Sequence, residues 1–174
     1  LPAWRMFTRN GVDIAVIGAT ASYMKNWLLP QEAAKYHVET AAALLERTLP
    51  EVHRARPDVI VLATHQAWFE GRDPRNINEV AALAERFPEL DLILGAHSHR
   101  LLPGLRIGHR TWYVQAACYA QYLAIVTMTV DTEANEVVDI ASHARQITPA
   151  DAEDDSLAQA LQPWLDQARA ERSR

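Results

Sequence analysis

The sequence predicts an α/β fold, on three observations. Near-continuous apolar runs of strand length occur at residues 12–18, 58–64 and 91–95, with helical stretches between them. Their unbroken apolar character suits strands buried on both faces, as in a parallel sheet with right-handed crossovers. From residue 111 the pattern changes to strand-like runs with short connections, which predicts an antiparallel sheet packed beside the first. The expected architecture is part of a two-sheet sandwich flanked by helices.

Each element follows from local chemistry. Residues 12–18 read as a buried strand closed by Gly18, and residues 19–30 as a loop carrying Tyr23, Trp27 and Pro30. Trp27 is there either as a packing anchor or as a neighbour of a site. Residues 31–55 are rich in good helix formers, with Val38, Ala42, Leu45 and Leu49 at helical spacing. One long helix is predicted, kinked or divided at Pro50. The strand 58–64 ends at His65, followed by a polar loop over 66–75 with Trp68, Phe69, Gly71 and Pro74. Asn76 or Asn78 is expected to cap a helix through about Phe87, whose stripe of Val80, Leu83, Ala84 and Phe87 faces the core. Pro88 stops it, and residues 91–95 form the third strand. Residues 111–115, 122–131 and 136–143 are the later strands, with 131–135 as a hairpin loop. An acidic linker over 149–155 leads to a helix over 156–172, with Leu157, Leu161, Trp164, Leu165 and Ala168 on one face.

Two of these strands end in histidine. The third delivers Gly95-Ala96-His97-Ser98-His99, and the second delivers His65. In an extended chain residues two apart share a side, so His97 and His99 are expected to converge just past a strand end. Ligand sites in open α/β sheets gather at the carboxyl ends of strands. Imidazole suits zinc, iron, copper and nickel. His65, His97 and His99 are therefore candidate metal ligands; the alternative is that each merely caps its strand by hydrogen bonding. Such a cluster can hold a single zinc that activates water, or two carboxylate-bridged metals that clamp a phosphoryl group. Carboxylates for the second are short. Asp13, Asp58 and Asp91 sit at strand starts, and Asp73, in the loop after His65, is the remaining candidate. No catalytic or cofactor-binding residue is assigned. His37 and His53 fall in the long helix, His109 in a turn and His143 at a late strand end, and Cys118 reads as a small packing residue.

Composition narrows the classes. A formal net charge of −5 over 174 residues, with no basic face, argues against a nucleic-acid polymer as partner. Cys118 is the sole cysteine, so neither an internal disulfide nor a zinc–thiolate cluster can form. No run approaches the roughly 18 apolar residues of a membrane span. There is no basic-then-apolar leader, no glycine-rich phosphate loop and no Gly-x-Ser-x-Gly elbow. The chain opens on Leu1-Pro2 without methionine, as expected of a piece of a longer polypeptide.

The run 58–65, Asp-Val-Ile-Val-Leu-Ala-Thr-His, followed by Gly95-Ala96-His97-Ser98-His99, resembles the second half of calcineurin-like metallophosphoesterases. The resemblance is nearest to the 5′-nucleotidase and 2′,3′-cyclic-nucleotide 2′-phosphodiesterase group. Gln115-Ala116-Ala117 with Tyr119 and Tyr122-Leu123, and Asn10-Gly11-Val12 through Gly18, resemble neighbouring segments of that group. Met24 and Trp27 lean toward its cyclic-phosphodiesterase branch. The resemblance covers about residues 7 to 148. Ala96 stands where the family often has a second glycine, and the first-half motifs Asp-x-His, Gly-Asp and Gly-Asn-His-Asp/Glu are absent.

The resemblance makes residues 1–148 the second half of a metallophosphoesterase-like catalytic domain, and 149–174 an acidic linker with a C-terminal helix. It implies that His65 and His97 bind one metal and His99 the other. The complete domain would hold two divalent ions, with zinc, manganese and iron not distinguished. The substrate would be a nucleotide or another phosphoester, the partner a missing N-terminal half, and the location periplasmic or secreted. The expected activity is metal-dependent phosphoester hydrolysis in the parent protein and none in the isolated chain. Uncovered apolar surface would drive that chain to a homo-oligomer, to aggregation or to its missing half. The alternative is a non-catalytic metal- or partner-binding α/β module.

Overall fold

The computed structural model describes residues 2–71, 73 and 77–172. Leu1, Pro74 and Asn76, named above, and residues 72, 75, 173 and 174 lie outside the described residues.

A six-stranded sheet forms the body. In chain order its strands are β1 (Trp4–Arg9), β2 (Val12–Ala19), β3 (Val59–Thr64), β4 (Leu92–Leu94), β5 (Leu101–Ile107) and β6 (Thr111–Ala116). Their spatial order is β1-β2-β3-β4-β6-β5. As expected, β2, β3 and β4 are parallel, with Ile17 opposite Leu62 and Leu62 opposite Ile93. Strand β1 was not foreseen. Its signal is Asn10-Gly11, where φ of 52° and 79° makes a tight hairpin turn into β2.

The second sheet is smaller than expected. Among the described residues β7 (Tyr122–Asp131) and β8 (Glu136–Gln146) alone form it. Residues 111–115, expected in that antiparallel group, belong instead to β6, which inserts parallel to β4. The reason is burial. Tyr113, Val114 and Gln115 are all buried, which suits a central strand rather than an edge. Strand β5, also unforeseen, covers the outer edge of β6, with a bulge between Leu102 and Leu105 that fits its Pro103-Gly104 pair.

Two helices cover one face of the large sheet: α2 (Ala41–Ala55) and α3 (Val80–Arg86), with a single turn, α1 (Pro30–Ala33), ahead of them. The long helix expected over 31–55 is thus interrupted between α1 and α2, where residues 36–40 are irregular, and His37 lies in that break. Pro50 does not divide α2. The packed stripe of Leu44, Leu45, Leu49 and Val52 against the sheet outweighs the missing N–H. Thr40 caps α2 by accepting the Ala43 N–H at 3.1 Å. Asn78 does not cap α3: Glu79 holds the cap position, and the Asn78 side chain accepts the Ala67 N–H at 2.8 Å.

The opposite sheet face carries Val59, Val61, Leu92 and Val114, over which Ala124, Val126, Met128 and Val130 of β7 pack. Cover is partial. An apolar groove of about 410 Å³ remains between Val12, Ile14, Val59, Val61 and Leu92 on one side and Val126, Met128 and Val130 on the other. The last helix, α4 (Asp155–Arg172), buries no residue, and Leu157, Leu161, Trp164 and Leu165 are exposed.

The acidic residues at strand starts are structural. Asp58 accepts the Asp13 N–H at 2.6 Å, and buried Asp91 accepts the Ile60 N–H at 2.9 Å and an Arg110 N–H at 2.6 Å. Burial pushes the Asp91 carboxyl above the usual aspartate range, against the opposing pull of Ile60 N–H and Arg110. Folded Asp91 therefore keeps its proton at pH values where the unfolded chain has released it. Stability contributed by this group falls as pH rises from the ordinary aspartate value through the raised one. Urea midpoints measured at successive pH values upward from the ordinary aspartate range should show this decline, and Asp91→Asn should flatten it.

Candidate functional site

Three loops leave the carboxyl ends of β2, β3 and β4 and meet. The loop after β3 begins at His65, whose N–H donates to Ala19 O at 3.3 Å. Gln66, fully buried, ties all three. Its Oε1 accepts the Glu79 N–H at 2.6 Å, its Nε2 donates to Ser22 Oγ at 3.1 Å, and its carbonyl accepts the Ala96 N–H at 2.9 Å. Ser22 Oγ in turn bonds the Glu79 carboxylate. The bases of the histidine-bearing loops are therefore fixed by a satisfied polar network.

His65 and His97 meet edge to face, with ring centroids 5.4 Å apart. Trp27 also stacks on the His97 ring, at 5.1 Å and an interplanar angle of 9°. Trp27 is thus a neighbour of the site rather than a core anchor, and it stays about half exposed (49%). His99 is turned elsewhere: its ring packs edge-on against exposed Tyr119 at 5.6 Å. Among the described residues no group of three His, Cys, Asp or Glu side chains is close enough to share an ion.

The alternation argument for His97 and His99 fails for a local reason. Strand β4 stops at Leu94, and both histidines have left-handed backbone, φ 75° for His97 and 59° for His99. The Ser98 N–H donates to Ala96 O at 2.9 Å, closing a three-residue turn centred on His97. With φ at +75° this is the rarer, strained hand of the γ-turn. Non-glycine residues held in that region concentrate at functional sites.

Beneath this turn lies Tyr113. Its hydroxyl donates to Gln115 Oε1 at 2.9 Å and accepts the Trp68 N–H at 3.2 Å, and burial pushes its pKa up to about 12. It is a neutral donor at any physiological pH. A cavity of about 430 Å³ opens beside His97, lined by Phe69, Asp73, Ile77, Asn78, Ser98 and Arg100. Asp73, considered as a metal ligand above, organises this loop instead, accepting the Ile77 and Asn78 N–H groups at 2.8 Å each.

The remaining histidines lie apart. His53 Nε2 is 3.5 Å from Glu89 Oε1, His109 Nε2 is 3.3 Å from Glu85 Oε2, and His143 sits on β8 opposite Ile125. Sequence reasoning did not single out Gln66, Tyr113 or Gln115 as supports of the site. The available signal was a polar side chain within an otherwise buried strand or at its end, since buried polar groups require partners.

The two imidazoles that do meet fit a first-row divalent metal as two of its ligands, since a neutral ring nitrogen is a common donor to such ions. They make an incomplete ligand set by themselves.

No family model matches the chain. Over 124 residues it is 29% identical to YunD of Bacillus subtilis, an uncharacterized metallophosphoesterase; the match takes in 71% of this chain and 24% of YunD. The chain therefore spans about a quarter of the length of that curated relative. Among solved structures, the calcineurin-like phosphoesterase YfkN of Bacillus subtilis superposes with a TM-score of 0.77 at 15% identity, over 98% of this chain and 59% of YfkN. A Staphylococcus aureus chain described as a 5′-nucleotidase gives a TM-score of 0.72 at 22% identity, over 94% of this chain and 34% of its own. In sequence the chain resembles the metallophosphoesterases, and its fold is the α/β fold of part of a calcineurin-like phosphoesterase.

Proposed function

We propose that this chain is the histidine-bearing part of a metal-dependent phosphoester hydrolase of the nucleotidase or cyclic-nucleotide phosphodiesterase type, with His65, His97 and His99 as ligands of divalent metal. The observation that carries the proposal is the contact of His65 with His97 at the ends of adjacent parallel strands. Ligand sites in open α/β sheets gather at such strand ends, and the resemblance to metallophosphoesterases supports this chemistry. When bound, the metal would neutralise the charge that develops on a phosphoryl group. The residues of this chain orient the site. Trp27 covers His97 on one side, and the cavity lined by Phe69, Asn78 and Arg100 lies beside it, with room for part of a nucleotide or another phosphoester.

The ligand set is completed, on this reading, by carboxylate-bearing motifs of a further part of the domain, and the groove along β7 is where apolar cover from that part would sit. The chain alone is then inactive. The turning of His99 toward Tyr119 favours a second reading, a non-catalytic metal- or partner-binding module.

One pair of assays decides between them. The 174-residue chain and a longer chain extended upstream are titrated with zinc and with manganese, and each is assayed on bis(p-nitrophenyl) phosphate. The hydrolase reading expects weak metal binding and no turnover from the chain alone, and turnover from the extended protein that His65→Ala or His97→Ala removes for the most part. Metal affinity should fall on acidification, because ligation requires the neutral ring. Robust turnover by the chain alone would mean the active site is misplaced. An inactive extended protein that carries upstream Asp-x-His and Gly-Asn-His motifs would support the module.

A further inference from the structure

The strained turn that presents His97 is held by a carboxamide from another strand. We propose that Gln115 is a positioning residue whose side chain locks the Ala96–His97–Ser98 turn and so fixes the place of the His97 ring. The turn geometry stands without any metal; the effect on metal affinity rests on the hydrolase reading above.

Gln115 lies on β6 and is fully buried. Its Nε2 donates to Ser98 Oγ at 3.0 Å and to Arg100 O at 2.9 Å. Its Oε1 accepts the Tyr113 hydroxyl at 2.9 Å and the Ser98 hydroxyl at 3.1 Å. Both donors and both acceptor sites of the amide are in use. Its orientation is fixed as well, because exchanging nitrogen and oxygen would set two carbonyl oxygens against each other at Arg100.

These contacts flank the histidines. Ser98 lies between His97 and His99, and Arg100 follows His99 directly. The backbone at both histidines is left-handed, a conformation that L residues leave unless their surroundings hold them. The Ser98 N–H→Ala96 O bond closes the turn from within, and the Ser98 hydroxyl on Gln115 anchors it from below. Above, Trp27 and His65 pack against the ring. Without the anchor the turn can relax to the ordinary right-handed or extended backbone. That carries the ring out from under Trp27 and away from His65.

The test uses the 174-residue chain, with Ser98→Ala, Ser98→Thr and Gln115→Leu. Ring-to-ring NMR cross-peaks between Trp27 and His97 report the turn directly, and a zinc titration reports its consequence. In Ser98→Ala and Gln115→Leu the cross-peaks should vanish, while the ring signals of His53, His109 and His143 and the far-ultraviolet dichroism stay as in the parent. Zinc binding should weaken about tenfold or more, as when groups that orient a metal's ligands are removed. Ser98→Thr, which keeps the hydroxyl, should restore both. Cross-peaks of parental intensity in Ser98→Ala or in folded Gln115→Leu would overturn the proposal. If Gln115→Leu fails to fold, Ser98→Ala decides alone, since it keeps the buried amide and its bond to Arg100. If the parent chain binds no zinc, the metal reading fails, and the cross-peaks still decide the role of Gln115.

Discussion

Gly95→Ala should destabilise the protein by about 3 kcal/mol, at the upper end of what overpacking a filled core costs. A Cβ at residue 95 would lie 2.1 Å from the Tyr113 hydroxyl oxygen and 2.3 Å from Cε2 of its ring. Neither side can yield cheaply. Tyr113 is fully buried, and its hydroxyl is held between the Trp68 N–H and Gln115 Oε1. Moving the ring breaks the bond to Gln115, so the change should also loosen the histidine loop. Gly18→Ala is the control. Its Cβ would meet nothing within 4 Å, so an effect within about 0.5 kcal/mol is expected. Chemical denaturation of the two variants beside the parent gives both numbers, and equal midpoints for Gly95→Ala and parent would contradict the packing described here.

The second large effect is an asymmetry between the two faces of the sheet. Leu62→Ala should cost about 4 kcal/mol and Leu92→Ala about 2 kcal/mol, within the range for deleting buried leucines. Both side chains are buried, at 0% and 5% exposure. Leu62 faces α2 and α3 in a filled core, where the cavity left behind has little means of closing. Leu92 lines the groove of about 410 Å³ beside β7, which can collapse or admit water. The cost therefore depends on how complete the cover is. If a further part of the domain fills the groove, as proposed, Leu92→Ala in the extended protein should approach the cost of Leu62→Ala. Urea unfolding of both variants in both chain lengths tests it.

The central sheet was readable because its signal is redundant. Residues 58–64 and 91–95 are apolar, of strand length and bounded by turn residues, and the helix between them has its own stripe. What escaped depended on partners far away in the chain. Residues 101–107 contain Pro103 and Gly104, which read as loop until a bulged edge beside β6 is available to hold them. Residues 111–115 looked like a member of an antiparallel group because the sequence signals a strand and not its neighbour. The composition of residues 31–55 favours helix straight across residues 36–40, whereas the N-cap at Thr40 marks the start of α2. At the site, the residue types were legible and the backbone was not. His65 and His97 meet, but by way of a left-handed turn that no alternation rule anticipates, and the same turn sends His99 to Tyr119.

The strand order has a consequence for how the site comes into being during synthesis. The chain lays down β1, β2, β3 and β4 side by side, then runs to the outer edge with β5 before returning to fill the gap with β6. His65 and His97 leave the ribosome well before Gln115, so a nascent chain ending before residue 111 carries both imidazoles and lacks the amide beneath them. Domains emerge from the N-terminus and fold as units. Until Gln115 is in place, the turn lacks the side-chain contacts to Ser98 and Arg100 that hold it in the folded protein. Docking of β6 closes the edge and brings Gln115 beneath the turn in the same step, so the anchor of the histidine turn exists only once β6 is in place.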